Sequence, residues 1–102
     1  MPPNIVSMVR RKDRPLELWQ EVIAALLDVF PAPLSAGQIQ RKTGIDGNGV
    51  ARAAAVAEEL GLIRRSKEGP AVMHSLTPRG RLAAEHVKKL KEVVEGSGFK
   101  RG

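Results

Sequence analysis

The sequence contains no cysteine and no tyrosine, and its aromatic side chains are limited to Trp19, Phe30 and Phe99. Without cysteine, disulfides, thiolate nucleophiles and thiolate metal sites are excluded, which is consistent with a reducing compartment. A core with so few aromatics must be built from Leu, Ile, Val and Ala. No apolar run approaches the length of a membrane span, and the N-terminus lacks a signal-peptide core, so we expect a cytoplasmic protein without a membrane partner.

The residues that carry most enzyme chemistry are also sparse. His74 and His86 are the only histidines, and a zinc site would need further ligands that the spacing does not offer. Asp46-Gly47-Asn48-Gly49 lacks the remaining ligands and the terminal glutamate of a calcium loop. There is no set of nucleophile, base and acid. We therefore expect no enzyme activity, no metal and no cofactor.

The positive charge is unevenly distributed along this single-domain chain. The 102 residues have a formal net charge of +6. Residues 61–81 contain five cations and one acid, whereas residues 15–60 contain three cations and six acids. A basic segment inside the folded part of a small domain indicates a polyanionic partner, although basic tails can also serve solubility alone.

Residues 15–30 predict the first helix. Apolar side chains recur there at spacings of three and four, and Pro15 suits a first helical turn. We assign Trp19 to the core, and the glutamates to the solvent face. The following segment Phe30-Pro31-Ala32-Pro33 should end the helix.

Residues 34–63 carry the signals of two short helices joined by a tight turn. Ser35 and Gln38 form a capping-box pair at the start of the first, and Gly44 suits its left-handed end. Asp46 can cap the second helix, and Gly61 can close it. In that second helix the predicted inward residues are Val50, Ala53, Ala54, Ala57 and Leu60. The predicted outward residues are Asn48, Ala51, Arg52, Ala55 and Glu59.

The next segment predicts a β-hairpin, with strands at Leu62–Ser66 and Ala71–Leu76 and a turn at residues 67–70. Three cations, Arg64, Arg65 and Lys67, crowd its first strand and its tip. An exposed ribbon of this kind is best explained as a wing that contacts phosphates.

A last helix is predicted over Pro78–Glu95, with Thr77 as its cap. Its distal apolar residues, Leu90, Val93 and Val94, extend past the core of so small a domain. Such exposed apolar positions favour self-association, and packing onto the first helix is the alternative.

The order helix, helix, helix, hairpin, helix resembles a winged helix-turn-helix, similar to the DNA-binding core of MarR-like and PadR-like transcriptional regulators. The segments that carry the resemblance are LSAGQIQRKTGI, EELGLIRR and SLTPRGRLAAE. The resemblance implies a mainly α fold with a small β-hairpin, built from a three-helix core, a wing and a C-terminal helix. We place this domain at residues 15–95.

Two basic segments flank that domain. Residues 1–14 form an N-terminal arm whose cations follow a short apolar run, Ile5, Val6, Met8 and Val9. The run predicts an edge strand or a docking segment, and the cations can follow a DNA groove; a disordered terminus is the alternative. Residues 96–102 are expected to be a flexible basic tail.

The resemblance further implies double-stranded DNA binding by a homodimeric transcriptional regulator that pairs through its C-terminal helix. The third helix would enter the major groove, and the wing would lie on the backbone or in the minor groove. Carried over residue by residue, the DNA contacts are Ser35, Gln38, Arg41 and Lys42 in the second helix, Gly47, Asn48, Gly49, Ala51, Arg52 and Ala55 in the third, and Arg64, Arg65 and Lys67 in the wing.

The predicted reading helix also leaves a second function open. Asn48 and Arg52 are its only strong base readers, and Glu58 and Glu59 would repel phosphate if they faced DNA. Gln40 stands where the motif usually has a small buried residue. These departures fit DNA binding of modest sequence preference, or a winged helix that serves as a protein-interaction module in a larger assembly.

Overall fold

The computed structural model describes residues 16–95. Four helices and three short strands follow in the order α1 (Leu18–Val29), β1 (Leu34–Ser35), α2 (Ala36–Thr43), α3 (Gly47–Glu59), β2 (Ile63–Glu68), β3 (Ala71–Leu76) and α4 (Pro78–Glu95). The strands form one antiparallel sheet with the order β1-β3-β2. The predicted mainly α fold, with a helical core, a wing and a C-terminal helix, is confirmed. The arm at residues 1–14 and the tail at residues 96–102 lie outside the described residues.

Helix α1 begins three residues later than the sequence pattern predicts. Glu17 caps it, and its backbone N–H donates to Oε1 of Gln20 at 2.8 Å, which completes a capping box that we did not predict. Glu21, assigned to the solvent face, is buried at 7% exposure. Its burial follows from the crossing of α4, because Lys91 reaches it there.

The core is aliphatic, as the shortage of aromatics requires. Its largest fully buried side chains are Ile23, Leu26, Ile39, Val22 and Val50. Three alanines of α3, Ala53, Ala54 and Ala57, are buried and let that helix pack closely. Leu60, predicted to point inward, is instead 45% exposed, because it lies just past the end of α3. Trp19 packs against the edge of the core and stays half-buried.

The sheet contains a strand that the sequence pattern did not reveal. The two-residue β1 pairs Leu34 with His74 and Ser35 with Met73. His74 is buried, and its Nδ1 lies 2.9 Å from the carbonyl oxygen of Leu34. This histidine therefore joins the wing to the segment before α2.

The wing is longer and its turn tighter than predicted. β2 extends to Glu68, so that Lys67 and Glu68 belong to the strand and not to the turn. The connection is the pair Gly69-Pro70, with Gly69 at φ +64°. A two-residue turn with a glycine at positive φ keeps the two strands in register up to their ends.

The start of α4 is fixed against the end of α3. The Thr77 hydroxyl donates to the carbonyl oxygen of Gly61 at 2.6 Å and accepts from the N–H of Gly80 at 3.0 Å. A Cβ on Gly80 would lie 1.7 Å from the carbonyl oxygen of Leu62. Glycine is therefore the only residue that permits this approach of helix and backbone.

Helix α4 then runs antiparallel to α1. Two ion pairs join the helices: Lys88 to Asp28 at 2.5 Å, and Lys91 to Glu21 at 3.3 Å. Within residues 16–95, no helix is both long and apolar enough to cross a membrane.

Candidate nucleic-acid interface

The turn between α2 and α3 is held by the caps that the sequence predicts. Ser35 Oγ accepts from the N–H of Gln38 at 3.2 Å, and Gln38 Oε1 accepts from the N–H of Ser35 at 2.8 Å. Gly44 ends α2 at φ +77°. Asp46 Oδ1 accepts from the N–H of Gly49 at 2.7 Å and starts α3. These local bonds end α2 and start α3 at the turn, so they satisfy backbone groups that the helix termini leave open.

The first turn of α3 packs tightly against this turn. A Cβ on Gly49 would lie 2.6 Å from Cγ2 of Ile45 and 3.1 Å from Oδ1 of Asp46. Gly49 is buried beneath this turn, so it does not belong to the exposed surface on which its contact with DNA was predicted. Gln40 lies half-buried beside Gly47, and thus fills the position where a smaller residue was expected.

The outward face of α3 matches the prediction. Asn48, Ala51, Arg52, Ala55 and Glu59 are all exposed, as is Gly47 at the start of the helix. At 100° per residue, Asn48, Ala55 and Glu59 lie near the centre of this face, and Arg52 lies on the side toward α1. The first turns of the face are therefore shallow, with two polar readers among small residues, and the acidic Glu59 follows in the last turn.

The two adjacent arginines of the wing point to opposite faces of the sheet. In the register of the two strands, Arg65 lies opposite the buried His74 and Arg64 lies opposite Ser75. Because successive side chains of a strand alternate between its faces, Arg64 lies on the outer face. From the inner face, Nη2 and Nε of Arg65 lie 2.6 and 3.0 Å from Oε1 of Glu58, near the end of α3. The hydrogen bond from Arg65, aided by its charge, lowers the pKa of the Glu58 carboxyl. Arg65 and Glu58 therefore neutralise each other.

Two wing cations remain available to a partner. Arg64 and Lys67 are exposed, and neither forms a salt bridge with another residue in the range 16–95. They lie on β2, an edge strand of the sheet that contacts α3. By the alternation of the strand, Lys67 lies on the same face as Arg65 and Arg64 on the opposite face, so the two cations flank this edge of the wing from its two sides.

The two cations at the end of α2 do not share one location. Arg41 is exposed on the outer side of α2, near Gly37. Lys42 lines a cleft between α1 and α4, together with Glu21, Asp28, Lys88 and Lys91. Gln40, by contrast, faces α3. The structure therefore separates Lys42 from the outward face of α3, contrary to the predicted grouping.

Two side chains near this face were not identified from the sequence as part of it. Glu58 looked like a repulsive acid, but it is the partner that fixes Arg65. Arg79, at the start of α4, reaches back so that its Nη1 lies 3.4 Å from the carbonyl oxygen of Leu60. A cation at the C-terminal end of a helix complements its dipole. Both contacts join residues on different elements, which a linear pattern does not reveal.

Within residues 16–95, no three His, Asp or Glu side chains are grouped so as to hold a metal ion. The chemistry of the surface is that of hydrogen-bond donors and cations around a helix.

The fold is similar to that of several proteins of known structure. No family model matches the sequence, and no curated protein matches it. Among solved structures, AF1382 from Archaeoglobus fulgidus superposes with a TM-score of 0.70 at 19% identity, covering 86% of this chain and 99% of that one. Sso10a-2, a DNA-binding protein from Sulfolobus solfataricus, gives a TM-score of 0.64 at 14% identity, covering 74% and 80%.

A MarR-family transcriptional regulator from Silicibacter pomeroyi gives a TM-score of 0.67 at 19% identity, and the match covers 83% of this chain. This chain spans 58% of the length of that regulator. At such identities the similarity is one of fold. The chain has the winged helix-turn-helix fold, of the form found in MarR-like transcriptional regulators.

Proposed function

We propose that this protein binds double-stranded DNA with modest sequence preference and acts as a dimeric transcriptional regulator. The observation that carries the proposal is the exposed face of α3, with Asn48 and Arg52, beside a wing edge that bears two exposed cations. These are Arg64 and Lys67, which form no salt bridge within residues 16–95. The similar structures include proteins described as DNA-binding and as transcriptional regulators. Cytoplasmic location and absence of enzyme activity belong to the same proposal.

In the major groove, two side chains of α3 would read bases. Arg52 suits the two acceptors of guanine, and Asn48 suits adenine. Ala51 and Ala55 are small enough to let the helix approach closely and can contact thymine methyl groups. With two polar readers in each copy, sequence preference is modest and phosphate contacts supply most of the affinity.

The phosphate contacts would come from both sides of α3. Arg64 and Lys67 serve the wing side. On the α2 side, Arg41 and the exposed amide of Gln38 are available, with Ser35 and Gly47 at the adjoining helix starts. Arg65 acts as a positioning residue, because it is held by Glu58. Lys42 faces the α1–α4 cleft and makes no contact in this arrangement.

We further propose a homodimer that pairs through α4. One side of this helix packs on α1, but Leu82 and Val93 remain 63% and 60% exposed, and Leu90 and Val94 remain 45% and 41% exposed. Exposed apolar side chains along one helix favour burial against a second copy. A dimer would bind two half-sites at once and so add their weak affinities. Its two α3 helices should then lie about 34 Å apart to match one turn of the duplex.

The test is binding to a pool of short random duplexes, measured by fluorescence anisotropy at low salt. Wild-type protein should bind and should lose affinity as salt rises. Arg52→Ala should weaken binding, whereas Lys42→Ala, which removes one cation from the cleft, should leave affinity within about twofold of wild type.

Two results would contradict the proposal. If the wild-type protein does not bind the pool at low salt, the DNA-binding function is wrong and the protein-interaction alternative gains support. If Lys42→Ala weakens binding as much as Arg52→Ala, the proposed surface is wrong even though the protein binds DNA.

A further inference from the structure

A second surface lies between α1 and α3, on the side of α3 away from the wing. It is an apolar groove of about 260 Å³, formed by Leu18, Trp19, Ala53 and Val56, with Glu17 and Arg52 at its rim. Val56 is 42% exposed, although it is a branched apolar residue in the middle of a helix. Exposed apolar surface of this kind indicates a binding partner.

The chain itself offers an occupant of matching chemistry. The described residues begin at Leu16, and the next residue, Glu17, already lines the groove. The preceding segment contains four apolar residues in five positions, Ile5, Val6, Met8 and Val9. Six residues separate Val9 from Leu16, and the seven Cα–Cα steps between them can span roughly 23 Å, which exceeds the roughly 8–10 Å typical between packed helix axes. The apolar run can therefore reach the groove.

The charges around the groove fit the same occupant. Between the apolar run and Leu16 lie Arg10, Arg11, Lys12 and Arg14, with one acid, Asp13. On the described side, Glu17 lies at the rim, and Glu59 is exposed on α3 one turn beyond Val56. The acidic side chains next to the groove thus complement the cations that would lie beside them.

We propose that residues 5–9 of the arm dock in this groove of their own chain. Docking covers Trp19 and Val56 and holds the four cations beside Arg52 at the flank of α3. In that position they extend the phosphate-contacting surface. This last consequence rests on the proposed DNA binding, whereas the docking itself does not.

Trp19 is the only tryptophan in the chain, so its fluorescence reports on the groove directly in the full-length protein without DNA. Replacing Ile5, Val6, Met8 and Val9 together by Ser should shift its emission to longer wavelength. It should also raise the acrylamide quenching constant about twofold, because the indole loses its apolar cover. The matched control, Asn4→Ala with Ser7→Ala, changes polar residues of the same segment and should leave both values unchanged.

Val56→Asp tests the groove from its other side. Val56 is partly exposed, so the variant should fold, which far-UV circular dichroism can verify. It should expose Trp19 to the same extent as the arm variant, and the two changes combined should expose it no further.

Three results would overturn the proposal. The first is unchanged Trp19 fluorescence in the arm variant. The second is exposure of Trp19 by Phe99→Ser instead, which would identify the C-terminal tail as the occupant. The third is exposure of Trp19 on dilution of the wild-type protein, which would identify a second copy. If Trp19 responds as expected but no duplex is bound, the docking holds and only the DNA-binding function fails.

Discussion

Replacing Arg64 and Arg65 by alanine, one at a time, should affect DNA binding in different ways. The two residues are adjacent, chemically identical and on the same strand, so each variant serves as a control for the other. Arg64 is exposed and forms no salt bridge within residues 16–95. Both Nε and Nη2 of Arg65 are bonded to Glu58. Binding of Arg64 to a phosphate should therefore release counterions from the DNA, whereas Arg65 should release none.

The size of the difference follows from counterion release. Each phosphate neutralised by a cation contributes about 0.9 to the slope of log affinity against log salt. Arg64→Ala should flatten that slope by about this amount, equivalent to roughly a threefold smaller loss of affinity between about 50 and 200 mM salt. Arg65→Ala should leave the slope unchanged, although affinity can fall at every salt concentration because the wing loses its tie to α3.

The assay is a salt titration of anisotropy on one duplex, with wild type and the two variants measured side by side. Glu58→Gln with Arg65→Ala provides a further control, because it removes both members of the neutral pair and should also keep the wild-type slope. Equal flattening by Arg64→Ala and Arg65→Ala would refute the reasoning, since it would mean that Arg65 leaves Glu58 to contact a phosphate.

Three other perturbations test separate parts of the molecule. Gly80→Ala should destabilise the protein by about 3 kcal/mol or more in urea unfolding, because its Cβ would overlap the Leu62 carbonyl oxygen. Gly37→Ala is the control. A Cβ there would meet only the Arg41 guanidinium at 3.8 Å, so the variant should be neutral or stabilised by about 0.5 kcal/mol. Asn48→Ala should cost about 1–3 kcal/mol of discrimination at one base position in a competition binding assay. Val93→Asp should convert the proposed dimer to a monomer in sedimentation velocity, because it would bury a charge in the proposed interface.

Each of these can fail in a specific way. Equal urea midpoints for Gly80→Ala and wild type would show that α4 does not approach Leu62 as closely as described. An unaltered base preference in Asn48→Ala would remove that residue from the reading face. A Val93→Asp variant that remains dimeric would argue against this face of α4 as the dimer contact. So would a Glu92→Lys control that dissociates equally, because Glu92 is exposed and lies 100° around the helix from Val93.

The order of elements and most of their ends could be predicted from residues close together in the chain. Ser35 with Gln38, Asp46, Gly44 and Thr77 act within about one turn of their own helices, so their roles are local and readable. The outward face of α3 was predictable for the same reason, since helical periodicity alone separates Asn48 and Arg52 from the alanines that pack inward.

The errors arose where distant residues meet. β1 is two residues long and exists only because β3 pairs with it. Glu21 is buried because α4 crosses α1, and Lys42 faces away because α2 meets those helices at its last turn. The burial of Glu21 and the direction of Lys42 have no periodic signal in the sequence.

By itself, therefore, the sequence determined the helices, their caps, the aliphatic core and the excess of cations on the wing, because each depends on local bonding, side-chain chemistry or spacing. The tertiary structure decided which cations are available to a partner. Arg64 and Arg65 are the same residue type in adjacent positions of the sequence. The alternation of the strand and the proximity of Glu58 pair Arg65 and leave Arg64 without a salt bridge within residues 16–95. Whether two charged side chains form an ion pair depends on the distance between them, and the fold sets that distance.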